Sequence, residues 1–252
     1  MESVSVTIIT RNERHNIRDC LAGVQWANEI VVIDQFSADG TAEIARECGA
    51  KVWQEPWHGF AGQKNIALKR ARSTWVLSLD ADERVTAPLQ REIQNTIAKR
   101  PKAAGYFIAR KNFFCGKWIR HGGWYPDYSL RLFKRDTGRF EERAVHEKVT
   151  VSGKTGRLKN PLEHHTYASV SDFLQRLDRY SSLAAHELRK SKPSPSWTDQ
   201  TLRPAFTFLK MYVFQRGFLD GREGFFLALS YAYYTFLKYY RTAAEGSIES
   251  HD

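Results

Sequence analysis

Long apolar stretches are missing from this 252-residue chain. The longest, Phe225 to Leu237, is 13 residues and includes Ser230 and Thr235. A membrane-spanning helix needs roughly 20 apolar residues, so none is expected. Cysteine is scarce: Cys20, Cys48 and Cys115 are odd in number and widely spaced. That excludes a disulfide framework and a Cys-x-x-Cys metal knuckle, and it agrees with a reducing compartment. No G-x-G-x-x-G follows the first apolar segment and no Walker A loop exists. Dinucleotide dehydrogenases and P-loop NTPases are therefore set aside. No basic n-region precedes Val4–Ile9, so no signal peptide is expected. Internal repeats and low-complexity runs are also lacking.

What is present is an ordinary globular balance, 42% hydrophobic and 26% charged, with 13% aromatic residues. Net charge is +10 and is unevenly placed. Residues 99–160 hold 16 Lys/Arg against 5 Asp/Glu, so the remainder of the chain is almost neutral. A positive middle third implies an anionic partner there, such as a phosphorylated substrate, an acidic lipid or nucleic acid.

The first hundred residues alternate strand and helix. Val4–Thr10, Glu29–Asp34, Lys51–Gln54 and Thr74–Leu79 read as strands. Between them, Ile17, Cys20, Leu21 and Val24 recur at helical spacing, Thr41–Cys48 is a short helix closed by Gly49, and Gly62–Ala71 is helical. Thr86 and Pro88 open a further helix with an apolar stripe of Leu89, Ile93 and Ile97. This alternation predicts an α/β fold, a mostly parallel sheet with helices on both faces. After Pro101, Gly105–Arg110, Ser129–Phe133 and Lys148–Ser152 read as strands with short connections. From Ser169 a long helix follows. Residues 190–200 read as a polar linker, and 201–252 as an aromatic-rich helical extension.

In open parallel sheets, ligands bind at the carboxyl edge of the strands. Those edges here read Thr10-Arg11-Asn12-Glu13, then Asp34 with Ser37-Ala38-Asp39-Gly40-Thr41, then Asp80-Ala81-Asp82-Glu83. Acids would repel a bare diphosphate, but they suit one whose charge is bridged by a divalent cation. The pair Asp80-x-Asp82, at the end of an apolar strand, has that form. Its bland alternative is a solvated turn before the helix at Pro88.

The three segments VSVTIITRNE, EIVVID…SADGT and WVLSLDADE resemble glycosyltransferase family 2, over about residues 4–100. The resemblance implies the GT-A fold, a nucleotide-diphospho-sugar donor, a Mg²⁺ or Mn²⁺ cofactor and inversion at the anomeric carbon. It further implies that Thr10, Asn12 and Glu13 line the nucleoside pocket, with Asp34 and Asp39 near the base. Gln63, Lys64 and Asn65 fall where the family contacts donor or sheet edge. Asp80 would face the ribose and Asp82 would bind the metal. Gln35-Phe36 departs from the common Asp/Ser and Gly of the family. The segments GGWYPDYSLRLFKR, RF…VHE and LEHHTY resemble lipopolysaccharide core glycosyltransferases, in particular those adding β-glucose to heptose.

Inverting transfer needs a base for the acceptor hydroxyl, and a carboxylate is the expected type. Glu147 is the first candidate, Asp127 the second and Glu142 the third. An ion pair of Glu147 with Lys148 or Arg143 is the alternative role. By the same resemblance His164, with His165 as the adjacent alternative, is a candidate metal or diphosphate ligand. His146, Arg131 and Trp124 are candidates for acceptor binding. The basic set Arg110, Lys111, Lys117, Arg120, Arg131, Lys134, Arg135 and Arg139 suits a phosphorylated lipid-linked saccharide. Phe206–Phe214 and Phe225–Tyr240, flanked by Lys and Arg, suit an interfacial helix pair on an anionic membrane, with a packed hairpin or a subunit interface as rivals.

The expectation is therefore residues 1–189 as a GT-A catalytic domain, with a donor half at 1–100 and an acceptor half at 101–189. The reaction would move glucose from UDP-glucose to lipopolysaccharide heptose. The protein would be cytoplasmic, peripheral to the inner face of the bacterial inner membrane, open to homo-oligomer formation and not a nucleic-acid binder. A sugar-nucleotide nucleotidyltransferase would need a glycine in Thr10–Arg14, which has none. A non-catalytic basic module would bind UDP no better with Mn²⁺ present.

Overall fold

The computed structural model describes residues 2–141, 148–192 and 194–248. Its contacts fall into two compact units, Met1–Arg110 with Tyr128–His164, and Lys111–Asp127 with His165–Asp252.

The first unit opens with β1 (Val4–Thr10), α1 (Arg14–Ala22), β2 (Glu29–Asp34), α2 (Thr41–Glu47) and β3 (Lys51–Gln54). It continues with α3 (Gly59–Arg70), β4 (Trp75–Asp80), the short β5 (Glu83–Arg84) and α4 (Ala87–Ala98). Then come β6 (Gly105–Phe114), β8 (Asp127–Lys134), β9 (Gly138–Glu141), β10 (Lys148–Val151), β11 (Thr155–Arg157) and β12 (Leu162–Tyr167), whereas the short β7 (Lys117–Trp118) belongs to the second unit. The sheet order is β3-β2-β1-β4-β8-β6-β12-β5, with β9 and β10 forming a separate antiparallel pair. The first four strands run parallel, whereas β8 joins β4 antiparallel.

Alternation of side chains explains why helices cover both faces. On β2, Ile30 and Val32 pack with Ile17 and Leu21 of α1 and with Leu89 and Ile93 of α4. Val31 and Ile33 point the opposite way, onto Ala67 of α3. The stripe expected on the helix after Thr86 is buried in full, and the Thr86 side chain accepts from the Leu89 amide. Gly49, at φ 82°, closes the turn after α2, where its amide reaches the Arg46 carbonyl. β6 runs four residues beyond the expected end at Arg110, to Phe114.

The second unit contains α5 (Val170–Ser191), α6 (Trp197–Leu209) and α7 (Gly221–Ile248). A π-helical turn (Lys210–Phe214) and a 3₁₀ turn (Gly217–Asp220) connect α6 to α7. The linker read at 190–200 contains the last residues of α5 and the first of α6. Ser196 forms a capping box with Asp199, so this polar stretch starts a helix. Phe114, Ile119, Trp124, Phe173, Leu177 and Leu227 form the core of this unit. Among the described residues no helix is long and apolar enough to cross a membrane.

Candidate active site

Three strand ends of the first unit carry the residues singled out in the sequence. At β1 and β2, the buried Asp34 carboxylate accepts from Thr10 Oγ1 (2.9 Å), from the Ser37 amide (2.9 Å) and from Ser37 Oγ (2.5 Å). Asn12, at φ 55°, accepts from the Ala38 amide through Oδ1, and its own amide donates to Ser37 Oγ. The Asp39 carboxylate accepts from the Arg14 amide and from both the amide and hydroxyl of Thr41. Desolvation opposes its ionised form, but these hydrogen bonds outweigh it and hold the carboxyl below its usual range. Glu13 donates its amide to Thr41 Oγ1. Thr10, Asn12, Glu13, Asp34 and Asp39 are thus brought together, as a hydrogen-bonded bracket. Phe36 protrudes from it, 60% exposed and at φ 45°. An exposed aromatic residue in left-handed backbone is uncommon and strained.

At the end of β4 the charges are arranged differently for the two aspartates. Asp80 is held by Lys64 Nζ at 2.9 Å and Arg131 Nη2 at 2.5 Å. Burial alone would raise its pKa, but Arg131 and then Lys64 overcome this and hold the carboxyl well below the usual range. Arg131 also grips Glu83, which is fully buried, at 2.5 Å, and Arg110 approaches Glu83 at 3.7 Å. Glu83 in turn accepts from the Asp80 amide at 3.0 Å. Arg131, expected at the acceptor, instead directs its guanidinium at these two carboxylates, of which Glu83 is fully buried and Asp80 partly exposed. The Arg131 side chain is only 6% exposed.

Asp82 is placed otherwise. Its Oδ2 lies 3.3 Å from His164 Nε2, and both side chains keep some exposure, 20% and 12%. The antiparallel pairing of β12 with β5 sets His164 opposite Glu83, which delivers the imidazole to Asp82. One carboxylate oxygen and one imidazole nitrogen suit a borderline cation such as Mn²⁺, whereas Mg²⁺ prefers oxygen. Among the described residues no group of three or more His, Cys, Asp or Glu is placed to hold a metal. The pair therefore fits a cation that takes its remaining ligands from substrate oxygens.

The other expected residues lie elsewhere. Gln63 is buried, donating to the Pro56 carbonyl, and Asn65 pairs with both backbone groups of Phe140. These contacts dock α3. Asp127 belongs to the second unit, where Asn112 Nδ2 donates to it at 3.2 Å. Trp124, expected at the acceptor, is buried in that unit against Phe114, Tyr167 and Tyr231. His165 stacks on Phe113. Glu142, His146 and Glu147 lie outside the described residues. The residue missed by sequence reasoning is Glu83. Its signal was the fourth letter of Asp-Ala-Asp-Glu, read as part of an exposed rim but folded inward.

A sheet parallel over its first four strands, with a carboxylate bracket and an Asp-x-Asp at its carboxyl edge, has the GT-A architecture of a glycosyltransferase. The chain belongs to the family Glycosyl transferase family 2, whose profile matches residues 5–165. It is similar to the Lipopolysaccharide core biosynthesis glycosyltransferase LpsC of Rhizobium meliloti, 29% identical over 93% of this chain and 89% of the relative. An uncharacterized glycosyltransferase of Rickettsia typhi is 28% identical over 94% of this chain and 86% of its own length. Two solved structures share the fold. The mannosyltransferase PcManGT of Pyrobaculum calidifontis, in complex with GDP-Man and Mn²⁺, matches with TM-score 0.52 and 16% identity, covering 100% of this chain and 89% of that one. TarS 1-349 of S. aureus, in complex with UDP-GlcNAc, matches with TM-score 0.50 and 17% identity, covering 99% and 92%.

Proposed function

We infer that this glycosyltransferase moves a hexose, glucose by its resemblance, from a UDP-sugar to a lipid-linked saccharide, the heptose of a lipopolysaccharide core. The similarity to LpsC over nearly the whole chain supports the acceptor class. The observation that carries the donor reading is the Asp82–His164 pair, 3.3 Å apart beyond β4 and beside an Asp80 already neutralised by Lys64 and Arg131.

In this reading the bracket of Thr10, Asn12, Glu13, Asp34 and Asp39 binds the nucleoside, and Asp80 faces the ribose. Asp82 and His164 hold Mn²⁺ or Mg²⁺. When bound, that cation supplies positive charge to the diphosphate leaving group. Lys64 and Arg131 keep Asp80 ionised and oriented. Glu147 is the favoured base for the acceptor hydroxyl and Asp127 the second, each accepting one proton as the anomeric carbon passes through an oxocarbenium-like state. His146 remains assigned to the acceptor side, whereas Trp124 packs in the core of its own unit and Arg131 acts through Asp80 and Glu83. Residues 1–100 form the donor half and 101–189 the acceptor half. The lipid anchor of the acceptor places the enzyme at the inner face of the inner membrane.

The test is donor hydrolysis, followed as released UDP or GDP across a panel of nucleotide sugars with Mn²⁺ or Mg²⁺. UDP release that depends on the cation and is lost in Asp82→Ala is the expected result. Retention of both activity and metal dependence in Asp82→Ala would remove this residue from the mechanism. A purely binding module would release nothing.

A further inference from the structure

We propose that the connection between α6 and α7, with the outward stripes of both helices, is a docking surface for an anionic lipid bilayer, on which it lies without crossing.

The core of the second unit is satisfied without these residues. The inner side of α7 buries Leu227, Ala228, Ala232 and Tyr239. A second apolar side is left outside. Phe225, Leu229, Tyr233 and Tyr240 recur at helical spacing on α7, each 46–53% exposed. Leu202, Phe206, Leu209 and Val213 do the same along α6 and its π turn, each 46–65% exposed. Between the stripes runs an open groove of about 610 Å³, walled by Pro204, Phe208, Leu209, Leu229, Tyr233 and Phe236. The connection adds Phe214, 71% exposed, with Leu219 at 56% and Phe218 at 48%. Contiguous apolar surface of this kind marks an interaction site.

Charge selects the occupant. Residues 201–244 contain six Lys/Arg and two acids. Asp220 is buried and accepts from the Arg120 and His121 amides. Glu223 is held by Lys117 and Arg222. Lys210, Arg216 and Arg222 are exposed at the connection itself, beside Phe214, Phe218 and Leu219. A second copy would bring the same cations face to face, which repel. An anionic bilayer attracts them and takes up the aromatics at its interface.

The proposal rests on the lipid-linked acceptor only for its purpose, so its test needs no acceptor. The full chain is sedimented with vesicles of mixed phosphatidylcholine and phosphatidylglycerol, and with pure phosphatidylcholine. Wild-type protein pellets with the anionic vesicles, less so as salt rises. Phe214→Ser with Phe218→Ser lowers the partition coefficient on the order of tenfold or more. Lys210→Gln with Arg216→Gln lowers it for the anionic vesicles only. Circular dichroism and donor hydrolysis of these variants match wild type. Wild-type protein that stays in the supernatant overturns the proposal. So does a dimer in light scattering that the serine variants abolish. Vesicle binding without any donor hydrolysis refutes the enzymatic reading alone.

Discussion

Replacing Arg131 with methionine separates a positioning residue from an acceptor contact. The side chain is 6% exposed and bridges Asp80 and the fully buried Glu83, each at 2.5 Å. In Arg131→Met the Glu83 carboxylate keeps the Asp80 amide at 3.0 Å and the more distant Arg110 at 3.7 Å. Surface ion pairs contribute about 0–1 kcal/mol, but removing one partner of a buried pair costs roughly 3–5 kcal/mol, because the other charge stays buried. For a chain of this size each kcal/mol moves Tm by roughly 2–4 °C, so a fall of about 10 °C is expected. Scanning calorimetry reads it. Glu83→Gln alone is also destabilising, yet the double variant is less unstable than the two losses summed, by more than about 1 kcal/mol. Because Asp80 has a depressed folded pKa, its contribution is present above its unfolded value near 3.8 and fades as pH falls below it. The wild-type protein therefore loses the advantage of Arg131 in acid. Additive single effects within about 0.5 kcal/mol would refute the network. An unchanged Tm with a raised acceptor KM would return Arg131 to the acceptor.

Three further outcomes follow from the same geometry. His164→Ala leaves the fold intact and raises the Mn²⁺ concentration needed for half-maximal UDP release by about tenfold or more. Manganese titration of donor hydrolysis checks this, and an unchanged midpoint contradicts the pairing with Asp82. Phe36→Gly relieves the positive φ and stabilises the protein by about 1 kcal/mol. The same change weakens nucleotide binding several-fold, as expected of an exposed ring that stacks on the base. Thermal unfolding and calorimetric titration read the two effects separately. Glu223, hydrogen-bonded by Lys117 and then Arg222, has its pKa lowered from 4.5 to about 2. Its contribution is complete above pH 4.5 and is lost as pH falls towards 2, so Glu223→Gln flattens the urea midpoint over that window.

Local pattern made much of the first unit legible. Alternating strand and helix periodicity in residues 4–100 is a property of neighbouring residues, and so is the Asp-x-Asp at the end of an apolar strand. The Thr86 cap and the Leu89, Ile93 and Ile97 stripe were readable for the same reason. Amphipathic segments beyond residue 200 were visible too, as composition, but the sequence could not say which side of each helix the core would claim. That choice followed packing against Phe114, Phe173 and Leu177.

The sequence by itself determined the family, the parallel α/β half and the acids at its rim, because each rests on residues within a few positions of one another. Only the tertiary structure decided which partners those acids meet. The register of β12 on β5 brought His164 to Asp82, and the antiparallel entry of β8 beside β4 brought Arg131 to Asp80 and Glu83. Partners 48 to 82 positions apart leave no local period in the sequence. Burial then turned one arginine from a surface contact into a charge that holds two carboxylates together.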